Sequence, residues 1–187
     1  MFYTNIKYKV INLNYRIALR IRNRIERAYK NNEKFRVFIF LPLQPAFPGE
    51  ITESHTLHLI MKYTYKTISR NKGLSLYEKL YELMKEKVDD YIVFYSLRTH
   101  GLIKDKPVTE LIYIHSKLML VDDEYAIIGS ANINDRSMTG HRDSEIGVLV
   151  KSEYRNEVLI DNRVYNVSEN VRNLRIKLMK VNTIIIN

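Results

Sequence analysis

The sequence predicts an α/β fold, with a mixed β-sheet held between helical layers. Three observations carry that expectation. Apolar runs of strand length alternate along the chain with segments whose apolar residues recur at helical spacing. Hydrophobic residues make up 45% of a 187-residue chain, which suits one domain with a real core. The clearest run, residues 111–121, is rich in Ile, Leu, Val and Tyr and holds neither Gly nor Pro, as a buried strand requires.

Residues 1–14 mix polar and β-branched side chains without a clear period and read as irregular or a short strand. Over residues 15–31, Ile17, Ile21, Ile25, Ala28 and Tyr29 recur at helical spacing with arginines on the other sides, which predicts an amphipathic helix. Residues 35–41 form an apolar run that Pro42 breaks, and the loop PLQPAFPGE follows. Residues 54–70 place Leu57, Met61, Tyr65 and Ile68 on one side of a helix that Ser54 is positioned to cap. Residues 74–88 predict another, with Leu76, Leu80, Leu83 and Met84 inward and Tyr77 and Tyr81 packed or at the rim.

Residues 91–97 read as a buried strand. Arg98 to Gly101 then opens a loop in which Arg98 and His100 are candidates for lining a pocket, although such loop residues are as often merely exposed. The strand over 111–121 follows, with Glu110 just before it read as structural. Asp122 to Glu124 is a turn, and Tyr125 to Ile128 returns as the second strand of a hairpin. Residues 133–140 are polar and turn-rich, with Arg136 and Asp135 expected to pair. Glu145 opens a strand over 146–150, and residues 168–180 predict a last helix with Val171, Leu174, Leu178 and Met179. Residues 181–187 are left as a tail.

Chemistry concentrates between His115 and Asn132, HSKLMLVDDEYAIIGSAN. The pattern is His115-x-Lys117, Asp122 five residues later, then Gly129-Ser130-x-Asn132. In a continuous strand His115 and Lys117 point to one face, with Tyr113 and Met119 in line. Gly129 is expected to let the backbone come close to a ligand, beside the Ser130 hydroxyl and the Asn132 amide. Such a pocket suits a phosphate: imidazole can attack or carry a proton, ammonium neutralises an oxygen, and hydroxyl and amide donate to the others. His55 and His58, at i and i+3, have a spacing compatible with metal ligation, but no third ligand is apparent and a helix-surface role is preferred.

These residues closely resemble the His-Lys-Asp motif of the phospholipase D superfamily. The flanking runs PVTELIYIHSKLMLVDD and IIGSANINDRSMTGHRDSEIGVLV resemble the second motif of the eukaryotic enzymes. FRVFIFLPLQPAFPGEI, IMKYTYKTISR and YIVFYSLRTHG resemble other family segments, in the expected order. The resemblance implies that residues 15–180 form one catalytic half-domain, similar to the C-terminal half of such an enzyme, with Phe2 and Tyr3 a remnant of an upstream strand. His55, His58, His100 and His141 all lack a lysine two positions on, so the second motif that family enzymes need is not found. Half an active site is therefore expected.

The family mechanism has one motif histidine attack the phosphodiester phosphorus while the other protonates the leaving alcohol; water then resolves the phosphohistidine. By that resemblance His115 serves as general acid and base, or in either role within a symmetric homodimer. Lys117, Ser130 and Asn132 hold the phosphoryl oxygens, Asp122 ties down the hairpin and Lys117, and Glu145 hydrogen-bonds and orients His115. No cofactor and no metal is implied. The implied substrate is phosphatidylcholine or a related phospholipid, hydrolysed to phosphatidic acid. A homodimeric phosphodiesterase or nuclease of the same superfamily is the alternative, as is a non-catalytic lipid-binding fragment.

Composition bounds the partners. A formal charge of +9 and a pI near 9.6 suit an anionic partner. The early excess, from Lys7 to Arg36, reads first as solvated helix surface and second as a binding face. A phospholipid membrane surface and a second motif-bearing half, or a second copy, are the expected partners. Nucleic acid is disfavoured, because single-motif nucleases do not share the NDRSMTGHRDSE context. No cysteine is present, which excludes a disulfide framework and thiolate-bound metal and is compatible with a reducing compartment. Lys7 and Lys9 interrupt the only apolar run near the N-terminus, and no stretch approaches the roughly 20 apolar residues that span a bilayer. A cytoplasmic protein, peripheral at membranes, is the expectation.

Overall fold

The computed structural model describes residues 17–44, 55–68, 75–151, 155–160, 162–180 and 183–185. The expectations for residues 1–14 and for a Ser54 cap lie outside those residues.

Helix α1 (Ile17–Lys30) buries Ile25 and Ala28, as its apolar stripe dictates. Strand β1 (Val37–Phe40) follows, then α2 (His55–Ile68) and α3 (Leu76–Met84). Ser75 caps α3, its hydroxyl accepting the Glu78 N–H at 3.0 Å. The expected helix over 74–88 changes character at Lys85, which adopts a left-handed φ of 52°, and continues as a 3-10 helix, Lys85–Asp90. That tightened turn buries Val88, and the Tyr77 hydroxyl donates to Asp89 at 2.9 Å.

Strand β2 (Ile92–Ile103) runs parallel to β1, with Val37 opposite Ile92 and Phe40 opposite Tyr95. Ile25, Ile39, Leu41, Ile68, Tyr77, Leu80, Val88, Ile92 and Phe94 close one core, so the first three helices cover one face of β1 and β2. On the other face the Phe40 and Tyr95 rings stack at 5.1 Å. Strand β3 (Lys106–Ile112) is antiparallel to β2, and β9 (Thr183–Ile185) pairs antiparallel with β2 over Tyr95 to Leu97. This is the mixed sheet of an α/β fold. Residues 183–185, expected to be tail, supply one of its strands.

Two expectations in this region are corrected. Residues 98–101 are not a loop; β2 continues to Ile103 and turns at Lys104 and Asp105, both at left-handed φ of 49° and 60°. Such a two-residue turn matches strand twist, but Lys-Asp lacks the Asn-Gly signal that would have announced it. Residues 111–121 are not one strand either. Chain 113–116 carries no strand, because the run leaves β2 at Ile112 and joins a different sheet as β4 (Lys117–Val121). Local apolar pattern cannot register that change of partner.

The second sheet is the antiparallel order β4–β5–β6, with β5 (Tyr125–Gly129) central and β6 (Gly147–Lys151) outside. Helix α4 (Asp135–Met138) interrupts the connection between them. Strands β7 (Arg155–Ile160) and β8 (Arg163–Ser168) form a hairpin that the sequence pattern did not announce. Helix α5 (Glu169–Met179) starts from Ser168, whose hydroxyl accepts the Val171 N–H. No helix among the described residues is long and apolar enough to cross a membrane.

Candidate active site

The β4–β5 hairpin positions the motif. Its turn residues Asp122 and Asp123 take left-handed φ of 52° and 55°, which short polar side chains tolerate best after glycine. From that turn the strands run in register to the pair Lys117 opposite Gly129, and β6 adds Gly147 opposite Gly129. Lys117, Ser130 and Glu145 thus lie at one end of the three-stranded sheet.

Glycine at 129 is forced by backbone, not by a ligand. A Cβ there would lie 2.7 Å from the Ile146 carbonyl oxygen and 3.1 Å from the Gly147 Cα. The close approach expected toward a ligand is therefore toward β6. It lets the Ser130 N–H donate to the Ile146 carbonyl at 2.9 Å, while the Ile146 N–H donates to the Ser130 hydroxyl oxygen at 3.0 Å.

The Ser130 hydroxyl in turn donates to the Glu145 carboxylate. Hydrogen bonds from Ser130 and then Ser137 hold the Glu145 carboxyl below the usual carboxylate range, with the Lys117 charge helping and Asp143 opposing. The expected Glu145–His115 hydrogen bond is not formed in this arrangement, where the two hydroxyls hold the carboxylate. Glu145 sits beside Ser130 because β6 begins two residues later, and a hydroxyl held by the Ile146 N–H is the nearest donor.

His115 lies exposed in the 113–116 crossing, its ring 6.0 Å from that of Tyr113. Burial pushes the Tyr113 phenol up, so that ring is a neutral wall. The Lys117 ammonium folds back to donate to the His115 carbonyl. The ammonium thus meets the His115 main chain, and strand alternation does not pair the two side chains, because the strand starts only at Lys117.

Asn132 is half-buried on the loop after β5. Its N–H donates to the Ser137 hydroxyl oxygen at 3.1 Å, and its side-chain carbonyl is buried without a hydrogen-bond partner among the described residues. Asn134 caps the short helix α4, accepting the Ser137 N–H at 3.1 Å. Sequence reasoning missed Ser137. The Asn-x-x-Ser spacing marks the cap, but that the serine reaches both Asn132 and Glu145 is decided by folding. Arg136 pairs with Asp143, at 2.9 and 3.2 Å, where Asp135 was expected. The fork of a guanidinium matches the carboxylate returned to it by the loop.

Asp122 does not belong to this cluster. It stands at the far end of the hairpin, about 15 Å away at ordinary strand rise, with its side chain exposed. Lys117 is tied to His115 instead, and the tying role expected of Asp122 falls to Asp123. That carboxylate is 7% exposed and receives Arg175 of α5 through two bonds of 2.6 and 2.8 Å. The Asp123 carbonyl also accepts the Ser168 N–H at 2.9 Å, which joins the hairpin turn to the start of α5. His58 is exposed on α2, and the His55 side chain lies outside the described residues.

An ammonium, a hydroxyl and a carboxylate therefore sit near one another at the end of a sheet, with the ammonium held on the main chain of the motif histidine. That set can bind an oxyanion and move a proton. The family model described as phospholipase D matches residues 98–178, which contain the whole cluster. The chain is 40% identical over 168 residues to a phospholipase D1 of Mus musculus, covering 89% of this chain and 16% of the relative. It is 47% identical over 142 residues to phospholipase D zeta 2 of Arabidopsis thaliana, covering 74% of this chain and 14% of the relative. A phospholipase D of Phytophthora infestans is 41% identical over 168 residues, covering 88% and 9%. The chain thus spans a small part of the length of the relatives it matches. On the motif, its placement and these likenesses, the chain belongs to the phospholipase D family.

Proposed function

We propose that this chain is the C-terminal catalytic half of a phospholipase D-type phosphodiesterase, with residues 15–180 as its half-domain. The substrate is phosphatidylcholine or a related phospholipid, and the products are phosphatidic acid and the free headgroup alcohol. The observation that carries the proposal is the gathering of Lys117, Ser130 and Glu145 at one end of the β4–β5–β6 sheet, with Lys117 bonded to the His115 carbonyl.

In this reading a histidine from a second half attacks phosphorus and the bond to the headgroup oxygen breaks. His115 gives its proton to that oxygen, then takes one from the water that hydrolyses the phosphohistidine. Lys117 and Asn132 stabilise the charge on the non-bridging oxygens. Ser130 already spends its proton on Glu145. A phosphate oxygen that takes over this proton frees Glu145 to orient His115, so substrate binding and alignment of the acid are coupled. Asp122 acts through its turn alone.

A second half is also supported by what the sheet leaves uncovered. Met119, Ile127 and Leu149 lie in register across the three strands and are 53%, 44% and 63% exposed. An apolar row of this kind beside Lys117 suits cover by another motif-bearing half or by a second copy of the chain. Absence of cysteine and the basic charge fit a cytoplasmic protein at the surface of an anionic membrane.

The test is choline release from phosphatidylcholine by the purified chain and by His115→Ala, with mass in solution recorded alongside. Release that is lost in the variant, from a species of twice the monomer mass, supports a site completed by self-pairing. A folded monomer without release that gains activity when mixed with a first-motif half supports the half-enzyme. No release in either setting sinks the proposal.

A further inference from the structure

The β2–β3 hairpin reaches out from the body of the chain, and residues 99–110 are all exposed. Its end is unexpectedly apolar for a solvated arm. Leu102, Ile103 and Val108 are 69%, 63% and 38% exposed, with Pro107 among them and Lys104 and Lys106 on either side of Asp105. Exposed hairpin ends are usually polar, and neighbouring large apolar residues mark a contact surface.

The register decides what kind of surface. Leu102 is opposite Pro107, while Gly101 is opposite Val108 and Ile103 opposite Lys106. Leu102 and Ile103 therefore point to opposite faces of the ribbon. A groove on a folded protein would cover one face and leave the other in water. A medium that surrounds the hairpin covers both.

Charge selects the same medium. Lys104 and Lys106 outnumber Asp105 at the tip, Arg98 and His100 follow along β2, and the chain as a whole carries +9. Lysine stems can lie along acyl chains while their ammoniums reach lipid phosphates. Entry edge-on along β2 brings both Leu102 and Ile103 to the acyl region while the charged Lys104–Asp105 turn stays at headgroup level.

We propose that the β2–β3 hairpin end, Leu102 and Ile103 with Lys104 and Lys106, is an interfacial anchor for an anionic lipid bilayer. The proposal deepens the lipid reading given above, and rests on it for its biological meaning. It also gives that reading a geometry. Strand β3 leads from the hairpin end through Ile112 to His115, so the anchored arm holds the candidate site about 20–30 Å of extended chain from the lipid contact.

The chain contains no tryptophan, so Ile103→Trp gives a single reporter. Its emission is measured with vesicles of phosphatidylcholine alone, vesicles containing phosphatidylserine, and vesicles with brominated acyl chains. Val164→Trp on β8, a site 63% exposed, is the control. The expected result is a blue shift and bromine quenching at position 103 with anionic vesicles, and none at 164. Leu102→Ser/Ile103→Ser, read by co-sedimentation, loses binding. Lys104→Glu/Lys106→Glu weakens it roughly tenfold or more. Circular dichroism verifies that each variant is folded.

Unchanged emission at position 103 with anionic vesicles overturns the proposal. So does equal binding by the lysine variant, or a shift that appears with rising protein concentration and no lipid, which would identify a second copy as the occupant. His115→Ala separates this proposal from the catalytic one: it keeps vesicle binding and loses turnover. Binding by a chain that releases no choline, alone or mixed with a first-motif half, leaves the anchor standing and removes the phospholipase reading. Choline release without binding does the reverse.

Discussion

Glu145 is the residue on which the candidate site's electrostatics turn. Two hydroxyls and the Lys117 charge favour its ionised form, so its carboxyl titrates below its ordinary value. A carboxyl depressed on folding adds stability at pH above its unfolded value of about 4.3 and loses it as pH falls through the folded value. The loop between β5 and β6 should therefore loosen only in acid below that unfolded value. In Ser137→Ala the Glu145 midpoint should move upward, as read from its side-chain carboxyl carbon by NMR; an unmoved midpoint would remove Ser137 from the account. Lys117, Ser130 and Asn132 could be picked out as candidates because spacing and residue type suit phosphate chemistry, and Glu145 from the family resemblance. Ser137 could not, because its two contacts cross a loop whose closure depends on Arg136 and Asp143.

At the scale of elements, two features tie the motif hairpin down. Gly129→Ala places a methyl group against the Ile146 carbonyl and should cost about 1–3 kcal/mol, read as a lowered Tm, with β6 displaced from Ser130. The Asp123–Arg175 pair joins the β4–β5 turn to α5. Asp123→Ala leaves the Arg175 cation without its carboxylate and should cost about 1–3 kcal/mol, below the range for fully buried pairs because the guanidinium is more than a third exposed. Asp123→Ala/Arg175→Ala should cost less than the two single changes added, and simple additivity in denaturant melts would contradict a direct coupling. Helices α1, α2 and α5 were legible from apolar spacing, and the β4–β5 turn from its run of acids. The long β2–β3 hairpin and the break over residues 113–116 were not. Both depend on which strand the chain pairs with, and apolar pattern is blind to the partner.

On the scale of the whole molecule, the helices cover one face of the first sheet while the second sheet remains open. Met119, Ile127 and Leu149 present an apolar row that water disfavours. The chain should sediment above its monomer mass at micromolar concentration, and Ile127→Lys should return it to monomer. A monomeric parent chain would show that this row is too small to drive self-pairing and would leave a first-motif half as the partner to seek. The hairpin anchor and the apolar row lie on different sheets, so lipid contact and pairing can be disrupted separately.

The sequence by itself determined the family, the alternation of helices and strands, and the candidate residues for phosphate chemistry. Each is carried by side-chain type and short spacing, which folding does not alter. Only the tertiary structure decided that His115 lies outside the strand, that Glu145 answers to Ser130 and Ser137, and that Asp123, not Asp122, locks the hairpin. These outcomes depend on which distant segments meet: β6 against β5, α4 against the end of β6, and α5 against the turn. Neighbouring aspartates are equivalent to a sequence pattern, but in the folded chain only one of them faces Arg175.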